Sequence, residues 1–153
     1  QHFASDIPLF ISEVEKNPNA LIVGSRFLNA ENMPRQNTFA NKFSNFWFTV
    51  QTLQSVPDTQ TGFRLYPLEK MGRMWWMTSR YEAELEMLVY AAWHGVKIIS
   101  TPINVYYPDP DKRISHFRPF MDFFRISVLN TILCFLAICY GGPRMLINNL
   151  FGK

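Results

Sequence analysis

The chain has 153 residues, 48% of them apolar and 18% charged, a length that supports one domain with a true core and excludes two full-sized ones. Its formal net charge of +3 is uneven: residues 1–112 carry ten Lys and Arg against eleven Asp and Glu, while residues 113–153 carry five against Asp122 alone. A basic end interleaved with Phe, Leu and Ile suits an anionic lipid surface or a phosphate ligand and argues against nucleic acid as a partner.

The first residue is Gln1, and structure-like sequence follows at once, so a fragment or processed piece is expected. Asp6 reads as an N-cap with Pro8 in the first turn, and Ile7, Phe10, Ile11 and Val14 recur at helical spacing, which predicts a helix over residues 7–16. Asn17-Pro18-Asn19 ends it. The apolar run Ala20 to Val23, closed by Gly24-Ser25-Arg26, predicts a buried strand with a cation at its far end. A helix followed by such a strand suggests an α/β sheet, and in such sheets ligands gather at the carboxyl ends of the strands. Arg26 is therefore either a ligand-facing cation or a plain surface arginine.

Residues 27–37 are polar and read as a loop. Beyond them Phe39, Phe43, Phe46, Trp47, Val50 and Leu53 share one helical face, with Phe48 off it. Such a stripe needs a partner, either the domain core or a bilayer interface. Asp58-Thr59-Gln60-Thr61-Gly62-Phe63-Arg64 then sets a carboxylate, a glycine and a guanidinium in seven residues. Turn residues leading into a strand at Phe63–Tyr66 are one reading, and a ligand-approaching loop is the other. Pro67 starts a short helix that ends near Gly72, and Met74-Trp75-Trp76-Met77 reads as a packing patch.

Glu82 to His94 predicts the principal core helix, with Leu85, Leu88, Val89 and Ala92 on its apolar face and Gly95 as its C-cap. Glu82, Glu84 and Glu86 suit the helix dipole, and Glu84 and Glu86 are also candidates to face a site. Val96–Ser100 and Ile103–Tyr107 predict a strand that bends or restarts at Thr101-Pro102. Arg113, Ser115, His116 and Arg118 follow a breaker-rich loop, where they either surround a phosphate or form a solvated basic loop.

From Pro119 to Tyr140 the chain is strongly apolar, but Asp122 and Arg125 leave only the fifteen residues from Ile126 to Tyr140 uninterrupted. A spanning helix needs about 20. A helix lying in the interface or a hairpin-like insertion is expected, stopped by Gly141-Gly142-Pro143. Cys134 and Cys139 read as buried reduced thiols, consistent with a cytosolic setting.

Three motifs fall in a familiar order: Val-Gly-Ser-Arg at 23–26, Asp-x-x-x-Gly-Phe-Arg at 58–64, and Glu-x-Glu-Met-Leu with a following glycine at 84–95. Up to about residue 140 the chain resembles the carboxyl-terminal part of family-2 glycosyltransferases, of the polyprenyl-phosphate type typified by dolichyl-phosphate mannose synthase. The resemblance implies part of a GT-A, Rossmann-like fold with amphipathic membrane-interface helices. Residues 1–112 would be the carboxyl-terminal portion of the catalytic domain, and residues 113–153 a basic phosphate-binding loop with a membrane-interface tail. It also implies a nucleotide-sugar donor and a divalent metal, Mg or Mn. The family's metal motif reads Asp-x-Asp-x-Gln-His and this sequence starts at the Gln-His, so Gln1 would match the outermost ligand position, and the piece alone is expected to be inactive.

By position, Arg26 would meet the phosphates, and Asp58 would be the catalytic carboxylate beside the acceptor. Ser25, Gly62, Arg64, Glu84 and Glu86 would support the site. Arg113, Ser115 and His116 would match a shortened Arg-x-x-Gly-x-Ser-Lys loop, here without the glycine and with His for Lys. The activity implied is inverting sugar transfer to a polyprenyl phosphate at the cytoplasmic membrane face, with residues 38–55 and 119–140 touching the membrane. A glycan hydroxyl acceptor and a non-catalytic peripheral membrane module are the alternatives.

Overall fold

The computed structural model describes residues 2–26, 35–72, 77–79, 81–106 and 119–151. The apolar run after Ala20 forms β1 (Leu21–Ser25), the central strand of a three-stranded sheet ordered β2-β1-β3. β3 (Ile98–Pro102) lies parallel to it, with Leu21 opposite Ile98 and Ser25 opposite Pro102, and β2 (Arg64–Leu65) lies antiparallel, with Val23 opposite Arg64. β1 is buried along its whole length, and its alternate side chains serve two layers. Ile22 packs with Phe10, Ala20 and Ile103 on the side of α1 (Ile7–Lys16). Leu21 and Val23 join a larger cluster with Phe48, Leu85, Leu88, Val89 and Trp93. The chain is thus mixed α/β, a small sheet between helical layers.

Gly24 is required by close approach. A Cβ there would sit 2.7 Å from Ile103 Cδ1 and 3.1 Å from the Phe63 carbonyl oxygen, which accepts the Gly24 N–H at 2.9 Å.

α1 has the predicted bounds, but Asp6 does not cap it. Asp6 already has helical dihedrals at the end of the 3₁₀ turn Ala4–Asp6, and its carboxylate instead accepts the Asn104 backbone N–H at 2.8 Å and the Asn104 amide at 3.2 Å. β3 ends at Pro102, and pairing resumes only at Val105, which forms an isolated bridge with His2, in keeping with a strand that restarts after the proline. The short helix after Pro67 is α3 (Leu68–Met71), and α4 (Tyr81–Trp93) buries the predicted face of Leu85, Leu88, Val89 and Ala92. Gly95 follows α4 at φ +73°, the left-handed cap that its sequence position predicts. Of the Met74–Met77 patch only Met77 is described, and it is exposed.

α2 (Arg35–Thr52) is amphipathic in the inverted sense. The residue off the aromatic stripe, Phe48, is 0% exposed, while Phe39 on the stripe is 68% exposed and Phe46 and Val50 are exposed as well. The inward face carries Asn41, Ser44, Gln51 and Thr52 with Phe48 between them. Gln51 shows how part of that polar face is paired: its side-chain amide N–H donates to Asn130 Oδ1 at 2.9 Å, and its backbone carbonyl accepts the Trp93 indole N–H at 2.8 Å.

The tail does not stop at Gly141-Gly142-Pro143. α5 (Pro119–Leu136) continues through a π-helical turn, Ala137–Gly141, into α6 (Gly142–Phe151). The Gly142 N–H reaches back to the Ala137 carbonyl, the five-residue spacing of a π turn, and Pro143 follows within the same run. Gly141 is buried against the Trp93 indole, which a Cβ would meet at 2.3 Å. The apolar stretch Phe123–Phe151 is therefore 29 residues long, enough to cross a membrane by length and composition. Both cysteines are free, as expected, but Cys139 is exposed and Cys134 only partly buried, because the tail keeps one face outward.

Candidate functional site

β1 delivers Ser25 and Arg26 to the carboxyl edge of the sheet, where the Asp58 loop meets them. Arg26 grips Asp58 as a fork: Nε donates to Oδ2 at 2.7 Å and Nη2 to Oδ1 at 2.8 Å, while the Arg26 backbone N–H also reaches Oδ2 at 3.1 Å. Asn41 Nδ2 donates to Oδ1 at 2.5 Å and the Gln60 N–H at 3.3 Å, so five donors converge on a carboxylate that is 0% exposed. Asp58 is thereby saturated as an acceptor, a geometry that fixes Arg26 rather than one open to a proton from a substrate.

The inward polar face of α2 holds the rest of the loop. Asn45 donates to the Pro57 carbonyl at 2.8 Å and its Oδ1 accepts the Thr59 N–H at 3.0 Å. Thr59 Oγ1 lies 2.7 Å from both Ser44 Oγ and Asn45 Oδ1, and Gln60 Nε2 donates to the Ala40 carbonyl at 3.3 Å. Polar residues on the inner side of an aromatic helix thus have a definite task, the seating of residues 57–60.

Arg64 braces the loop from its other end. Its guanidinium donates to the carbonyls of Thr61 at 2.8 Å, Thr59 at 2.8 Å and Glu84 at 2.5 Å, and to the Tyr66 hydroxyl at 3.3 Å. Gly62 is exposed, and a Cβ there would make only ordinary contact with the Glu84 carboxylate, at 3.5 Å. The protein itself does not demand glycine at that position.

The glutamates of α4 diverge. Glu84 lies over Gly62, whereas Glu86 is buried and accepts the N–H groups of Met77 and Thr78, at 2.8 and 2.9 Å, and the Thr78 hydroxyl at 2.5 Å. Glu86 therefore fixes residues 77–78, away from Arg26. Glu82 lies 2.5 Å from Arg125 Nε, an ion pair without hydrogen-bond alignment that ties the start of α4 to α5. Ser25 Oγ is buried with no hydrogen-bond partner among the described residues. Gln1, Arg113, Ser115 and His116 lie outside the described residues.

Sequence reasoning gave His2 no separate role. Its ring stacks on Phe63, centroid to centroid 5.1 Å, within electrostatic reach of Arg26 and Asp58. Partial desolvation of this otherwise exposed ring, with the Arg26 charge as a further cause, holds its imidazole below the usual histidine range. The Gln-His pair at the start of the chain was the available signal, but the partner of His2, Phe63, is sixty-one residues away and only the fold joins them.

Among the described residues no three His, Cys, Asp or Glu side chains converge as metal ligands. They do not by themselves fit a metal. The arrangement can present one oriented guanidinium, with a buried hydroxyl next to it, at a strand end where anionic ligands commonly bind.

No family model matches the chain, and no solved structure matches it. An uncharacterized protein of Methanocaldococcus jannaschii is similar, with 26% identity over 114 residues covering 71% of this chain and 47% of the relative. The chain thus spans about half the length of the curated relative that it matches.

Proposed function

We propose that the chain is the carboxyl-terminal part of a GT-A family-2 glycosyltransferase that moves a sugar from a nucleotide-sugar donor to a polyprenyl phosphate at the cytoplasmic face of a membrane. The observation that carries this reading is the Arg26–Asp58 fork at the carboxyl edge of β1. It supplies a preoriented cation for a diphosphate, and it commits Asp58 to holding that cation. An acceptor that needed deprotonating would require a free base. A lipid phosphate is already ionised near neutral pH and needs none, which favours it over a glycan hydroxyl.

In the proposed reaction a phosphate oxygen of the lipid forms a bond to the anomeric carbon while the bond from that carbon to the nucleoside diphosphate oxygen breaks. The electron pair leaves with the diphosphate, and the anomeric centre inverts. Arg26 stabilises the departing charge, and Arg113, Ser115 and His116 hold the acceptor phosphate. The outward aromatic face of α2 and the long apolar tail support a membrane-borne acceptor.

The test is transfer of labelled sugar by the full-length protein from a panel of nucleotide sugars. Solvent-extractable label dependent on added polyprenyl phosphate is expected. Label found only on water-soluble glycans, or no transfer from any donor, overturns the proposal.

A further inference from the structure

The imidazole of His2 is set in place by ring contact rather than by hydrogen bonds. One face stacks on Phe63, with centroids 5.1 Å apart and the planes 24° from parallel, and Phe10 packs edge-on against the same phenyl ring at 4.8 Å. The backbone on both sides of the stack is fixed as well. His2 bridges to Val105 in antiparallel fashion, and the Phe63 carbonyl accepts the Gly24 N–H of the central strand at 2.9 Å. The stack thus rests on the cluster of Phe10, Ile22 and Ile103.

Among the described residues neither ring nitrogen of His2 has a hydrogen-bond partner, and the residue is exposed. With one face on Phe63, the exposed part of the ring is its other face and its nitrogen edge. A side chain held by its neighbours, with its polar atoms left open, is preorganised for a ligand. Alternation along β1 sends Arg26 to the same face of the sheet as Ile22 and Gly24, the face on which Phe63 and His2 lie. The Arg26 charge is felt at the imidazole, so one small molecule can touch both.

The two groups ask for different things. The guanidinium takes phosphate oxygens. An imidazole of either tautomer offers one N–H donor and one nitrogen acceptor in the ring plane, and an apolar surface on its face. A sugar ring meets both demands, because each hydroxyl donates and accepts and its C–H groups lie against aromatic faces. We propose that His2 is a specificity-determining contact for the donor sugar: with the diphosphate at Arg26, the hexose lies against the His2 ring and exchanges hydrogen bonds with its open nitrogens. This rests on the glycosyltransferase reading above and adds the sugar end of the donor, which the Arg26–Asp58 fork does not address.

The test is calorimetric titration of the full-length protein at pH 8, in buffer containing magnesium, with UDP, GDP, UDP-glucose, UDP-galactose and GDP-mannose. His2→Phe keeps a ring on Phe63 and removes the nitrogens. It should weaken binding of the preferred nucleotide sugar by about tenfold, the worth of one lost hydrogen bond, and change binding of the matching nucleoside diphosphate by less than about twofold. His2→Gln restores a donor and an acceptor and should recover part of the loss. Denaturant midpoints confirm that both variants are folded. Equal losses for the diphosphate and its sugar, no loss in either, or a loss in His2→Gln as deep as in His2→Phe overturns this proposal and leaves the transferase reading standing. Binding of none of these ligands by the unmodified protein would instead overturn the transferase reading, and this proposal with it.

Discussion

Arg26 and Asp58, thirty-two residues apart, form a two-pronged ion pair with N···O distances of 2.7 and 2.8 Å, the carboxylate wholly buried and the guanidinium side chain 16% exposed. Removing one member of such a pair leaves the other uncompensated, so Asp58→Ala should destabilise the fold by about 3 kcal/mol. Arg26→Lys keeps the charge but loses the fork. It should cost less stability and still depress phosphate binding. Denaturant midpoints of the two variants check the order, and equal midpoints would contradict it.

Arg64 serves backbone carbonyls on both sides of the Asp58 loop, so its loss is structural. Arg64→Met should cost about 2 kcal/mol by stranding acceptors in partly buried positions. A variant with unchanged stability and a raised donor KM would place Arg64 in phosphate binding instead.

The two glycines separate packing from ligand approach. Gly141→Ala forces a methyl group into the Trp93 ring and should destabilise by about 1–3 kcal/mol. Gly62→Ala meets only ordinary contact and should change stability by less than about 0.5 kcal/mol. A loss of transfer activity in Gly62→Ala at full stability would then report a ligand close to that backbone.

His2 gives the fold a pH dependence with a definite sign. Partial desolvation favours the neutral imidazole, so the unfolded chain binds the proton more readily than the folded one. The contribution of His2 is fully present above about pH 6.5 and is lost as pH falls through its depressed folded value. His2→Phe keeps an aromatic ring on Phe63 without the titration. Its melting temperature, followed from pH 8 to pH 5, should fall less steeply than that of the unmodified protein, and parallel curves would refute the assignment.

Leu53 closes α2 in the left-handed region at φ +56°, with its side chain 84% exposed. Leu53→Gly relieves that strain and should stabilise the protein in water by about 1 kcal/mol. An unchanged or lowered denaturant midpoint for this variant would contradict the expectation.

Local pattern determined those parts of the protein that depend on neighbours in sequence. The bounds of α1, the core strand after Ala20, the buried face of α4 and the left-handed cap at Gly95 all follow from spacing, turn chemistry and helix capping. The proximity of Arg26 to the Asp58 loop was legible as motif order but not as a bond. Two features were decided by tertiary structure alone. The direction in which α2 turns its aromatic stripe depends on what satisfies its polar side, and those partners, Asp58, Thr59 and Asn130, lie in other segments. Passage of the tail through Gly141-Gly142-Pro143 depends on Trp93, whose ring occupies the space that the missing Cβ leaves. Periodicity shows that a helix has two unlike faces; only the surrounding chain, by offering hydrogen-bond partners to one of them, decides which face is left for the solvent or the membrane.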